Sequence, residues 1–591
     1  MNLRYKNTIL SLIKVFIIFL ILLMGLYVRY IDLGTHFSPG DDSSVLFALI
    51  NAKEDKNVDY FKLKLLQKPN DPKFLHKVLK KINEFQLLDY FTLVEKKLKI
   101  SQYFAVAQAS DYGPLQYILA SFLTSISQNY REILFWGRFP SFLSAALGLI
   151  ILIPLYLRLK GKDYFPFLIL TMILVSLSWE NIIYAKQSHS YSIGVLSAIL
   201  LLWHLIKDIS HIDFSVKKSV YRSLFLALIS HMHYQIVCFI PAYYITIFIY
   251  YFSKVENKLK LIKSFLLTGI LHIVLITPMY ILFLQDKVKN GITYNRGNNN
   301  EFIFTLLSNN TLIEKINELV TFFIKNSLIV LQSNLAFIYE INPLFLPFTI
   351  TLIILFIVGL ISFFTNYELT KKSVGVFFLI ITITLTILIL INKVALSPTR
   401  QSLILLPYQA IIVSEGLGYL SRRFKYQIHT FMSILLSTLI IIAFFSDFQK
   451  IVFERTDPFN EKQIFKILQK HKINTVISYA PTCNFALMLF HRKHLHINHF
   501  NTVEWQRLYN PNFKRVAFIS QRYPLDKKQF DYVKDLINLQ PQTLNNFKYD
   551  YNDYKKSFSL EVTKPCDVDF LTSRIMTENN NGFYLNILEA N

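Results

Sequence analysis

The sequence predicts an α-helical polytopic membrane protein of about eleven spans plus juxtamembrane helices, ending in a small C-terminal extracytoplasmic α/β domain. Hydrophobic residues make up 53% of the 591-residue chain, and the mean hydropathy is positive. Long apolar runs recur over the first three quarters of the sequence, more than a soluble core could bury. After about residue 445 the pattern changes to short alternating apolar runs separated by amphipathic stretches. This divides the chain into a membrane domain, 1–445, whose first outer loop covers 30–133, and a soluble domain, 446–591.

The first apolar run, 8–28, is too long for a signal-peptide core and lacks a small-residue cleavage site, so it is expected to remain as an anchor. Arg4 and Lys6 precede it, which places the N-terminus in the cytoplasm and the next loop outside. Residues 51–100 are rich in lysine but carry apolar side chains at helical spacing, as in Phe74, Val78, Ile82 and Phe85. They read either as helices on the membrane surface or as a solvated charged insertion. The run 115–126 is too short to cross and reads as a juxtamembrane helix. Spans are then expected at 134–157, 165–179, 191–206, 224–233, 236–252, 265–284, 344–364, 374–391, 403–419 and 428–445. On this path the basic loops 207–222, 254–263, 371–372 and 422–425 all fall on the cytoplasmic side. The net charge of +23 is therefore explained by orientation, and nucleic acid is not an expected partner. Compact loops and the lack of organelle signals suggest a bacterial inner (plasma) membrane. Cys238 lies in an apolar run, while Cys483 and Cys566 in the C-terminal region are either bridged or free thiols.

The alternation has a consequence for chemistry. Polar groups collect at the outer ends of the spans: Asp41 and Asp42 on a turn made by Pro39 and Gly40; Asp111 and Tyr112; Arg138; Tyr184 through Tyr191 with Lys186 and His189; His231 with His233 and Tyr234; and Arg400. Ionisable residues at bundle depth are costly and commonly mark a ligand path or a catalytic site. Each group also has a plainer reading. Asp41 and Asp42 could cap the apolar run that follows them, Arg138 and Arg400 could anchor spans to headgroups, Lys186 and His189 could be ordinary loop residues, and His231 and His233 could bond backbone carbonyls. Asp41, Asp42 and Asp111 could hold a divalent cation through oxygen, although their spacing does not assign one.

Six motifs in order carry a resemblance. They are Gly40-Asp41-Asp42, Gly113-Pro114-Leu115-Gln116-Tyr117, Arg138-Phe139-Pro140-Ser141, the segment 184–191, Ser230-His231-Met232-His233-Tyr234, and Arg400 with Pro407. Together they resemble the GT-C glycosyltransferases, in the family 39-like branch of protein mannosyltransferases and lipid A aminoarabinose transferases. Asp42 stands where that family usually has Glu, Tyr112-Gly113 where it has His-Pro, Gln187 where it has Glu and His189 where it has Arg. The resemblance implies transfer of a sugar, with inversion, from a polyprenyl-phosphate donor to a protein, glycolipid or polysaccharide acceptor outside the cytoplasm. It implies Asp41 as general base, with Asp42 orienting the acceptor or helping to bind a metal. The leaving phosphate calls for fixed positive charge, for which Arg400 is the first candidate and Arg138, Lys186 and His189 are helpers. The polar loop 286–326 reads as a lid over the acceptor or as plain disorder. Rival readings are a transporter or flippase of lipid-linked saccharides and a non-catalytic glycolipid binder.

Overall fold

The computed structural model describes residues 3–31, 33, 114–127, 130–211, 213–279, 346–365, 368–390, 400–421 and 426–455, isolated positions between 314 and 335, and five strands between 475 and 589. Its helices are α1 (Leu3–Tyr30), α2 (Pro114–Ser125), α3 (Tyr130–Lys160), α4 (Tyr164–Leu177), α5 (Trp179–Ala185), α6 (Tyr191–Ser210), α7 (Val216–Met232), α8 (Ile240–Lys254), α9 (Lys258–Met279), α10 (Leu346–Thr365), α11 (Leu369–Leu390), α12 (Leu406–Ser421) and α13 (Tyr426–Arg455). Short 3-10 turns cover Gly161–Asp163, Tyr234–Cys238 and Arg400–Leu405. The chain is an α-helical membrane protein. Among the described residues eight helices are long and apolar enough to cross a bilayer, or nine if the bent pair α4 and α5 forms one span. The remaining expected spans fall on α7, 17 residues long, and α10, whose apolar part is Ile350–Thr365. The apolar parts of both are shorter than the ~20 residues that cross a bilayer without tilt. At 115–126, where a juxtamembrane helix is expected, stands the short apolar helix α2, whose 12 residues reach about 18 Å at 1.5 Å per residue.

Two compact units divide the chain. In the first, the core is formed by α4, α6 and α12. Every residue of α4 from Phe165 to Leu177 is buried, as is Leu406 to Gly418 of α12, the pattern of helices surrounded by other helices. Around them α1, α9 and α13 leave Leu12, Phe16, Leu266, Ile270, Ile273, Phe431 and Ile442 exposed, side chains suited to lipid. At the crossing of α10 and α12, Gly359 and Gly416 let the backbones touch. A methyl group on either would overlap the carbonyl of Ile412 or Leu355. Next to Gly416 in the chain, buried Glu415 pairs with Lys160 of α3 and accepts a hydrogen bond from Ser362 of α10 at 3.0 Å.

The basic loop expected at 207–222 is mostly helix. α6 runs to Ser210, and α7 starts at Val216, where Ser215 caps it by accepting the Lys218 amide at 3.2 Å. The Ser215 amide in turn bonds Asp213 and holds that carboxyl below the usual carboxylate range. Apolarity alone missed the first half of α7 because several of its polar groups bond to neighbouring helices. Arg222 gives its Nε to buried Asp208 at 2.7 Å and Lys218 reaches the other oxygen at 2.8 Å. Ser219 meets Ser264 at 2.8 Å, and Ser223 donates to the Thr268 carbonyl of α9 at 2.9 Å. Hydroxyl pairs of this kind join helices where apolar contacts give no advantage over lipid.

The second unit holds a five-stranded sheet in the order β2-β1-β3-β5-β4, from Thr475–Ser478 (β1), Asn498–Asn501 (β2), Arg515–Arg522 (β3), Leu560–Glu561 (β4) and Gly582–Glu589 (β5). β1 pairs in parallel with β2 and β3, whereas β5 is antiparallel to β3 and β4. Val476, Ile477, Val516, Ala517, Phe518 and Ile519 supply the near-continuous apolar runs that parallel strands carry.

Candidate functional site

The site is built on a break. Ser178 has an extended backbone (φ −60°, ψ 119°) that stops α4, and α5 departs at 60°. Its hydroxyl then caps α5 by accepting the Asn181 amide at 3.4 Å. Ending a helix in a dry interior leaves carbonyls without partners. Here Arg29 of α1, fully buried, donates Nη1 to the Ser176 carbonyl at 2.8 Å and Nη2 to the Val175 carbonyl at 3.1 Å. The Asn181 side chain also donates to the Val175 carbonyl, at 2.9 Å. The bend thus has its own polar lining, and it turns α5 away from the line of α4.

Beyond α5 the chain turns through Lys186, whose amide bonds the Ile183 carbonyl at 3.0 Å. Gln116 of α2 donates to the Ser188 carbonyl at 3.0 Å, and Ser141 of α3 donates to the His189 carbonyl at 2.8 Å. Gln116 and Ser141 also bond each other. Two polar side chains far apart in sequence therefore fasten one turn. Tyr184 and Tyr191 have ring centroids 4.8 Å apart, and the His189 ring lies 5.5 Å from that of Tyr191. Tyr191 continues to His233 at 6.4 Å, and His233 stacks on Tyr234 at 5.7 Å. His233 fits because Gly194, one turn into α6, leaves room. A methyl there would stand 3.1 Å from the imidazole ring. The turn Arg400–Leu405 packs against α5 and α6.

Of the residues expected from sequence, Tyr184, His189, His233 and Tyr234 thus belong to one aromatic and imidazole cluster. Lys186 lies half-buried at the end of α5. Arg138 is buried on α3 and donates Nη1 to the Leu33 carbonyl at 3.1 Å, which fixes where the chain leaves α1 on its way to Asp41. His231 turns away: its Nε2 lies 3.2 Å from the Leu275 carbonyl of α9, the backbone-bonding role that was its plainer reading. Asp41, Asp42, Asp111, Tyr112 and the side chain of Arg400 lie outside the described residues, as do the segments 51–100 and 286–313, Cys483 and Cys566. Cys238 is a free, half-buried thiol. Among the described residues no group of three or more His, Cys, Asp or Glu side chains could hold a metal.

Sequence reasoning did not single out Arg29, Gln116, Ser141 or Glu180. Gln116 and Ser141 sat inside quoted motifs. Arg29 and Glu180 each interrupt or end an apolar run, which was the available signal, and Glu180 is buried on α5. Comparison with known proteins finds no matching family model and no matching curated protein.

Proposed function

We propose that the chain is a membrane glycosyltransferase that moves a sugar from a polyprenyl-phosphate donor to an extracytoplasmic acceptor with inversion. The observation that supports this reading is the meeting of motif segments otherwise remote in sequence. Gln116, Ser141, the turn at Ser188 and His189, Tyr191 and His233 gather at one bundle end, with the Arg400 turn packed alongside. In the proposed reaction Asp41 takes the proton of the acceptor hydroxyl as its oxygen bonds to the anomeric carbon. The bond from that carbon to the phosphate oxygen breaks, and polyprenyl phosphate leaves with the electron pair. Arg400, aided by Lys186, His189 and Arg138, offsets the charge on the departing phosphate, which needs no acid. Asp42 orients the acceptor, and Asp111, Tyr112 and Tyr234 complete its surroundings. An aromatic wall such as Tyr184, Tyr191 and Tyr234 suits the apolar face of a sugar ring. The reading carries with it about eleven spans, a bacterial inner membrane, and the strand-bearing C-terminal unit on the same outer side as the site.

The test is transfer itself. Membranes bearing the protein receive radiolabelled polyprenyl-phosphate sugar, and label in envelope acceptors is compared for the wild type, Asp41→Asn and Arg400→Ala. Loss of the base lowers transfer by about 10²- to 10⁴-fold, and loss of the arginine lowers it by a comparable factor. Undiminished transfer by Asp41→Asn removes it as base. Movement of labelled lipid across vesicles without transfer assigns the chain to the flippase class instead.

A further inference from the structure

The opposite end of the α6–α7 hairpin, away from the cluster just described, gathers cations around two rings. Arg158 of α3 lies 5.7 Å from the Trp203 ring centroid and Lys207 of α6 lies 5.3 Å from the same ring. Lys207 is also 5.2 Å from the ring of Tyr221, which Lys218 of α7 approaches at 5.7 Å. All three cations sit within one turn of their helix ends. The two carboxylates of the α6–α7 connection are already engaged. Asp208 receives both Lys218 and Arg222, and Asp213 bonds Ser215. Arg222 keeps Nη1 and Nη2 without an acceptor, and among the described residues neither Arg158 nor Lys207 has a carboxylate partner. Arg158 and Lys207, drawn to one ring without a carboxylate of their own, repel each other, and an anion between them removes that cost. The apolar surface beside the patch continues through exposed Leu157, Val220, Leu224 and Leu228.

We propose that Arg158, Lys207 and Lys218 form a binding site for the headgroup of an anionic phospholipid, with the acyl chains lying along Leu224 and Leu228. The combination selects a lipid over free phosphate, since the charges stand at helix ends and the apolar strip begins where they stop. Basic pockets between spanning helices bind phospholipid headgroups through the same chemistry. Trp203 and Tyr221 hold the cations by their faces and place them at the depth where aromatic rings favour the interface. The site is independent of the transferase reading and of which leaflet this end faces.

The experiment is native mass spectrometry of the full-length protein released from detergent after equilibration with phosphatidylglycerol or phosphatidylcholine. The wild type is expected to retain phosphatidylglycerol preferentially. Arg158→Gln with Lys207→Gln, two side chains with no ion pair to lose among the described residues, should bind it about 30-fold more weakly. Lys260→Gln with Lys263→Gln, an equal charge change at the exposed start of α9, should bind as the wild type does, and inorganic phosphate should not displace the adduct. Equal retention of the two lipids overturns the proposal. So does a loss shared by the control pair, an adduct unchanged in Arg158→Gln with Lys207→Gln, or displacement by phosphate. If the double variant does not fold, Lys207→Gln alone carries the same comparison with about a fivefold loss.

Discussion

Arg29 touches neither donor nor acceptor in the proposed chemistry, yet it decides the direction of the segment that does. Its two carbonyl bonds at the end of α4 replace those lost when Ser178 stops the helix. Arg29→Leu leaves the Ser176 carbonyl buried without a donor and should cost about 2–3 kcal/mol, since hydrogen bonds from a charged donor are worth that much. Thermal unfolding in detergent reads the loss, and Arg29→Lys should recover part of it. Gln116 and Ser141 act in the same way on the turn at Ser188 and His189. These supporting residues were not legible from sequence as such. Their partners are backbone carbonyls, which leave no trace in residue types. His231 and His233 show the same limit, because their separation of two places them in one motif but the end of α7 at Met232 sends them different ways.

Among the elements, long runs of uniform apolarity were the most legible. α1, α3, α6, α11, α12 and α13 stand close to the expected spans because length and composition alone determine them. α7 was under-read, since Ser219, Arg222 and Ser223 look like loop residues until Ser264, Thr268 and Asp208 are placed opposite them. The break in α4–α5 was hidden because a hydropathy window passes over a single bent residue. The crossing of α10 and α12 was hidden too, although its cause is simple. With Gly359 and Gly416 in backbone contact, Gly416→Leu cannot be accommodated by side-chain movement, and the helices must separate. We expect loss of folded protein on gel filtration, whereas Ile270→Leu on the exposed face of α9 should leave the profile unchanged.

For the whole molecule, the prediction concerns sidedness. Reporter fusions after 257, in the turn between α8 and α9, should report the cytoplasm, and fusions after 188 should report the far side; the same side for both would refute the alternating path. The shared bundle end of the motif segments could be anticipated from that alternation, because it needs only parity. Which of their side chains touch could not, because that depends on the bend at Ser178 and on the room at Gly194. The two ends of the α6–α7 pair also differ in kind. At one end Asp208 gathers Lys218, Arg222 and Tyr243 from α7 and α8, so three helices share a single anchor. At the other, α4 and α5 meet at one residue pinned by a guanidinium. In the proposed transfer, a long isoprenoid would meet a three-helix anchor at one end of this pair and a single bent residue at the other.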